Sequence, residues 1–124
     1  LTVYGYTPMM VSVQCVQKTM DHCNHACVQY VLKDRYQKEF RGVCSCEFCY
    51  NTIYNTLPTS LLKEKEKAEK LGVKAYRLSF TTETQQETEK IVRAFVDVYL
   101  RGQKPDGQMQ TEETTKGHFQ RGVE

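Results

Sequence analysis

Three of the six cysteines in this 124-residue chain stand within six residues, in the stretch CSCEFCYNTIYN from Cys44 to Asn55. Cys15, Cys23 and Cys27 precede them, so every thiol falls between positions 15 and 49. Two pairs stand out, Cys15 with Cys23 and Cys46 with Cys49. The second is a C-x-x-C in a turn-prone segment, and a tight turn there lets two sulfurs converge on one cation or cluster. This segment constrains the fold around it more than any other.

Cys15 ends a predicted strand, the position at which a parallel sheet places its ligand sites. Four thiolates hold zinc in a tetrahedron or carry an iron–sulfur cluster, and the spacing does not choose between them. Cys27, Cys44, His22 and His25 are further donors. The simplest reading makes those two cysteines small buried hydrophobes and the two histidines ordinary surface residues; a cysteine nucleophile would need His22, His25 or His118 as its base. Cys44 stands two before Cys46, where strand alternation would point both sulfurs one way. A redox C-x-x-C works at a helix N-terminus, and CEFCYNTIYN does not read as a helix start.

Six cysteines in 124 residues fall short of the share that marks a disulfide scaffold. With no secretory pattern, such thiols point to metal binding or catalysis. Charge is nearly balanced, 17 basic against 15 acidic residues, so no global basic field indicates nucleic acid or an anionic membrane. No apolar run approaches the roughly 18 residues that span a bilayer. The expectation is a soluble, cytoplasmic segment with no membrane partner. Leu1 opens inside a predicted strand without an initiator methionine and RGVE closes without a signature, which reads as a piece of a longer protein.

Around the cysteines the pattern is α/β. LTVYGYTPMMVSVQC reads as a short strand, a bend at Pro8 and a second strand over Met9–Val13, apolar enough to be covered on both faces. YVLKDRYQKEFRGV resembles a hairpin turning near Tyr36–Lys38. LPTSLLKEKEKAEKLG reads as a helix capped by Thr59 or Ser60, with Leu61, Leu62, Ala68 and Leu71 as its stripe and Gly72 at its end. Its Lys/Glu run is a solvated face of i,i+4 pairs. VKAYRLSF alternates as a strand, and TTETQQETEKIVRAFVDVYLRG is a second helix burying Ile91, Val92, Phe95, Val96, Val98 and Tyr99. The expected architecture is an open layer of two to three βα units over 1–102, with a cysteine-rich hairpin insertion over about 15–55. In it, Val73–Phe80 lies beside Met9–Val13. Residues 103–124 form a linker and the closing GHFQRGVE segment.

MMVSVQCVQKTMDHC, LKDRYQKEF, CEFCYNTIYNTLPTSLL, GVKAYRLSFTTE and KGHFQRGVE together resemble the collagenase-like peptidase family, peptidase family U32. The likeness is to the later part of its long bacterial members and runs through nearly the whole chain in order. It implies a parent with a (β/α) barrel core, of which this chain is a part. It also implies a 4Fe-4S cluster held by Cys15, Cys23, Cys46 and Cys49, with zinc, or no metal in the isolated piece, as alternatives. Some members are described as collagenases, others act in hydroxylating RNA bases or the ubiquinone ring. The hallmark two-cysteine segment of the catalytic core is absent, and Gln37 stands where the hairpin turn usually has glycine.

The residues themselves show no G-x-S-x-G elbow and no H-E-x-x-H. Catalytic residues are therefore unassigned, and the chain alone is expected to be inactive as a hydrolase. Two functions follow: a metal-bearing part of a peptidase-family enzyme, or a metal-stabilised module presenting RNA or protein to the parent. YNTIYN with Arg35, Arg41 and Arg77 would serve the second, though tyrosines more often pack a core. The expected partners are the remainder of the parent chain and a second copy, through exposed strand edges.

Overall fold

The computed structural model describes residues 1–20, 23–105, 113–117 and 119. In chain order the elements are β1 (Thr2–Gly5), β2 (Pro8–Ser12), α1 (Val16–Thr19), β3 (Val28–Lys33), β4 (Glu39–Ser45), β5 (Tyr50–Tyr54) and β6 (Thr59–Ser60), then α2 (Lys65–Lys70) after a 3-10 turn at Leu62–Glu64. They finish with β7 (Arg77–Ser79) and α3 (Gln85–Phe95), which runs on as a π-helical turn over Val96–Leu100. The class is α/β, with helices and strands in two separate sheets. The chain divides into two compact units, Leu1–Tyr6 with Leu57–Glu124, and Thr7–Thr56.

The first unit is built on β1. It lies between β6, antiparallel, and β7, parallel. Val3, Tyr4 and Gly5 are all buried, so β1 is the strand covered on both faces. A side chain at Gly5 would meet the Ser79 carbonyl at 2.7 Å, which explains the glycine in so close a strand pairing. Val3, Tyr4, Leu61, Leu62, Ala94, Phe95 and Val98 form the core, and Leu78, Phe80, Ile91 and Tyr99 pack against it. Tyr99 also donates a hydrogen bond from its hydroxyl to the Leu61 carbonyl at 2.9 Å. A capping box starts α3: Glu87 N–H donates to Thr84 Oγ1 at 3.3 Å, and Thr84 N–H donates to Glu87 Oε2 at 2.6 Å.

Four expectations change here. The strand over Val73–Phe80 is shorter, Arg77–Ser79, and pairs with Thr2–Gly5 rather than with Met9–Val13. Met9, Met10 and Val11, in the edge strand β2 of the other sheet, and Val13 just past it are instead exposed. Thr59 and Ser60 are not helix caps but the short strand β6 beside β1. Leu71 is exposed, since α2 is too short for a continuous buried stripe.

Glu64 also departs from the solvated face expected of the Lys/Glu run. Its carboxylate is buried and takes ion pairs from Lys67 at 2.9 Å and from Lys116. Hydrogen bonds from these two ammonium groups, Lys116 foremost, lower its pKa to about 2. Next to Lys116, Thr115 bridges Thr59 in parallel and exchanges backbone hydrogen bonds with Pro58 and Ser60 at 2.9 and 2.8 Å. Part of the expected linker is thus tied to the first unit.

The second unit is a four-stranded antiparallel sheet in the order β2-β5-β4-β3. The β3–β4 hairpin turns through Asp34, whose Oδ1 accepts from Tyr36 N–H at 2.7 Å and Lys38 N–H at 2.9 Å, with Gln37 at a φ of 61°. Across that hairpin Tyr30 faces Gly42, and any side chain at Gly42 would strike its ring at 2.3 Å. An aromatic ring lying over a bare strand glycine covers backbone that glycine leaves open.

Candidate metal centre

All six cysteines belong to the second unit, and all are free thiols. The C-x-x-C is the β4–β5 connection. Cys46 to Cys49 make a turn closed by Cys49 N–H donating to the Cys46 carbonyl at 3.3 Å, with Cys49 in the left-handed region at a φ of 52°. A hairpin turn, unlike a helix N-terminus, presents no aligned N–H groups to stabilise a thiolate. The geometry is that of a ligand knuckle, two sulfurs carried on one tight turn.

Cys23 and His25 reach the same place from the segment between α1 and β3. The donor atoms of Cys23, His25 and Cys46 all lie within 4.8 Å of one another. His25 adopts a φ of 57°, and Asn24 Oδ1 accepts from Ala26 N–H at 3.1 Å, so the backbone reverses sharply here. The Cys46 thiol is raised in pKa by burial first, then by the neighbouring Cys23 and Cys49 sulfurs, with Cys15 contributing further out. Cys46 is therefore the sulfur to which the other three expected ligands are all electrostatic neighbours.

Cys15 is more intimately placed with a residue outside that set. Its Sγ lies 3.4 Å from Cys44 Sγ, and both are buried. Burial, followed by the Cys15 contact, pushes the Cys44 thiol up to about 11. Cys15 is shifted the opposite way: Lys18 N–H at the start of α1 and then Cys44 favour its thiolate. Either sulfur of this contact can be the donor. Asn51 fixes this corner. It is the cross-strand partner of both Cys44 and Ser12, and its Nδ2 donates to the carbonyl of Gln14.

Three buried polar atoms around this corner have no hydrogen-bond partner: Gln17 Oε1, Tyr30 hydroxyl and Asn51 Oδ1. Burial first, and then the charges of Cys44 and Cys15, raise the Tyr30 pKa. A hydroxyl that donates to a ligating sulfur is a feature that tunes sulfur-ligated centres. Cys23, His25 and Cys46 are soft donors of the kind that fits zinc or an iron–sulfur cluster and does not fit magnesium or calcium.

Of the four cysteines expected as ligands, Cys23 and Cys46 come together directly, Cys49 shares the Cys46 turn, and Cys15 stands against Cys44. The expected equivalence of Cys27 and Cys44 does not hold: Cys44 is fully buried, whereas Cys27 is exposed rather than a buried hydrophobe. His25 joins the donors, while His22 and His118 lie outside the described residues. Asn51 and Tyr30 were missed because one strand-borne amide and one tyrosine carry no spacing signal. Among the described residues no helix is long and apolar enough to cross a membrane. Comparison with family models, with curated proteins and with solved structures finds no match to this chain.

Proposed function

We propose that this chain is the cysteine-bearing later part of a collagenase-like peptidase-family protein, with the family's barrel supplied by the rest of the parent. Its role is to hold a soft-metal centre beside the parent's substrate site. In this reading Cys15, Cys23, Cys46 and Cys49 carry a 4Fe-4S cluster. The observation that carries it is the approach of Cys23 and Cys46, whose sulfurs lie within 4.8 Å of each other, with Cys49 on the same turn as Cys46. When bound, a cluster supplies one-electron chemistry for hydroxylation; the chain's own residues position it, exclude water from Cys15 and offer the Tyr30 hydroxyl to sulfur. Proteolysis has no comparable support.

Anaerobic reconstitution of the chain with iron and sulfide tests this. The expected result is broad visible absorbance with iron and sulfide in about equal amounts, abolished by Cys46→Ser or Cys49→Ser and retained by Cys27→Ser. Failure of the reduced wild-type chain to retain any metal refutes the reading.

A second reading rests on the aromatic pair beside the turn. Phe48, at the tip of the C-x-x-C, is exposed and stacks on Tyr50 with centroids 6.3 Å apart and planes at 25°. Such a surface suits unpaired bases, in keeping with a module that presents RNA to the parent. Binding of a short single-stranded RNA, weakened about tenfold or more by Phe48→Ala, is the expected outcome on this reading.

A further inference from the structure

His25 has no part in a four-cysteine site, yet its imidazole sits with Cys23 and Cys46 while Cys15 is engaged by Cys44. Spacing discriminates between the two donor sets. A single tetrahedral ion with bonds of about 2.0–2.3 Å holds its ligand atoms roughly 3.3–3.8 Å apart. The Cys23–His25–Cys46 atoms, at no more than 4.8 Å, need to close by only about 1 Å. A four-iron cluster binds each thiolate through a separate iron and so holds the sulfurs farther apart than one ion does. Cys23 and His25 are both exposed, and their side chains are not locked by packing against such a closure. Cys49 is the natural fourth donor. It lies on the same turn as Cys46, and its thiol, now donating only to the Cys46 carbonyl at 3.6 Å, is exposed and can rotate inward.

We propose that this loop binds one zinc ion through Cys23, His25, Cys46 and Cys49, leaving Cys15 with Cys44 outside the coordination shell. The inference rests on the reading that this loop is a metal centre, and it names a second donor set within it. Three thiols release their protons to solvent as Zn–S bonds form, and neutral His25 donates a ring nitrogen, giving the Cys3His set of structural zinc sites. The two sets share three cysteines and differ in one ligand. His25 completes the mononuclear site; Cys15 completes the cluster site.

The test uses the full 124-residue chain, reduced and anaerobic, titrated with zinc and separately with cobalt(II) as a visible probe. One ion per chain is expected, with cobalt d–d bands of tetrahedral intensity and thiolate charge transfer corresponding to three sulfurs. His25→Ala should weaken zinc binding at least about 100-fold, more than loss of an outer-shell partner costs. Cys15→Ser should leave zinc affinity and the cobalt spectrum unchanged while preventing iron–sulfur reconstitution. His25→Cys guards against a variant that simply misfolds: it should bind cobalt and gain charge-transfer intensity by about one third, a fourth thiolate. If His25→Cys leaves that intensity unchanged, or if Cys15→Ser lowers it, His25 is not the ligand and this inference falls, while the metal-centre reading stands. If the wild-type chain binds neither cobalt nor zinc, this inference falls; if it also retains no iron, both fall.

Discussion

The two units of this chain are stabilised by different means. In the first, seven apolar residues from β1, the segment after β6, and α3 with its π-helical extension make one contiguous core. Among the described residues of the second, the side chains buried to the same degree are Cys15, Cys44 and Asn51. Many of its larger apolar residues, among them Met9, Met10, Val11, Val31, Leu32 and Phe48, are exposed, while Phe40, Val43, Ile53 and Tyr54 are only half-buried. A unit of this size with so little buried hydrocarbon is marginal unless a metal or disulfide supplements it. The backbone shows the same division. Every described residue with positive φ in the first unit is glycine: Gly5, Gly72, Gly102 and Gly117. In the second they are His25, Gln37 and Cys49, none of them glycine. Strain at non-glycine residues persists where surroundings dictate it, and two of these three carry candidate ligand atoms. The first unit follows local preference; the second bends its chain around a set of side chains.

The largest effect should come from the apolar core. Leu62→Ala, at a site 1% exposed, should cost about 3–4 kcal/mol in urea unfolding whether or not metal is present. An equal loss in both units would break the comparison. Asn51→Ala should cost about 2 kcal/mol, since it removes the part-buried hydrogen bond to the Gln14 carbonyl together with the packing of a side chain that is 1% exposed. That loss should appear only in the second unit, together with a weaker hold on Cys15.

How much of this was legible in the residues can be judged from the same two regions. The 3.6-residue spacing of Ile91, Phe95, Val98 and Tyr99 reports a face that packs, and α3 lies there. The capping pair Thr84 and Glu87 fixes where it starts. Thr59 and Ser60 misled because a hydroxyl before a leucine pair suits a cap as well as a strand end; pairing with Tyr4 and Gly5, distant in sequence, decides it. Met9–Val13 misled for a related reason. An apolar run signals burial, but it does not distinguish a central strand from an exposed edge. At the site, the C-x-x-C announced itself because its geometry is local. The Cys15–Cys44 contact did not, since it depends on a strand register and the position of α1, and neither is written in cysteine spacing.

Glu64 offers a smaller and pH-dependent test, confined to the first unit. Its folded pKa, about 2, lies below the usual carboxylate value, so its contribution is fully present above about pH 4.5. It is lost as pH falls through the interval down to about 2. Because both lysine partners are more than half exposed, the effect should be limited to about 1–2 kcal/mol. Glu64→Gln should remove that pH dependence and loosen the strand-like contact of Thr115 with Thr59. Smallest of all, Gln37→Gly should stabilise the β3–β4 hairpin by about 0.5–1 kcal/mol, because glycine adopts a φ near 61° without a side-chain clash. A loss of stability instead would show that the Gln37 side chain contributes more than its backbone costs.

Amide hydrogen exchange of the reduced, anaerobic chain, read residue by residue with and without one equivalent of zinc, tests most directly whether the two units are held by different forces. Zinc is expected to slow exchange across β4, β5 and β3 by an order of magnitude or more, and a chelator to reverse it. Protection in β1, β7 and α3 is expected to stay the same throughout. Equal protection of β4 and β5 with and without the ion, or a matching response in β1 and α3, would contradict the claim that the cysteine centre holds the second unit and an apolar core the first.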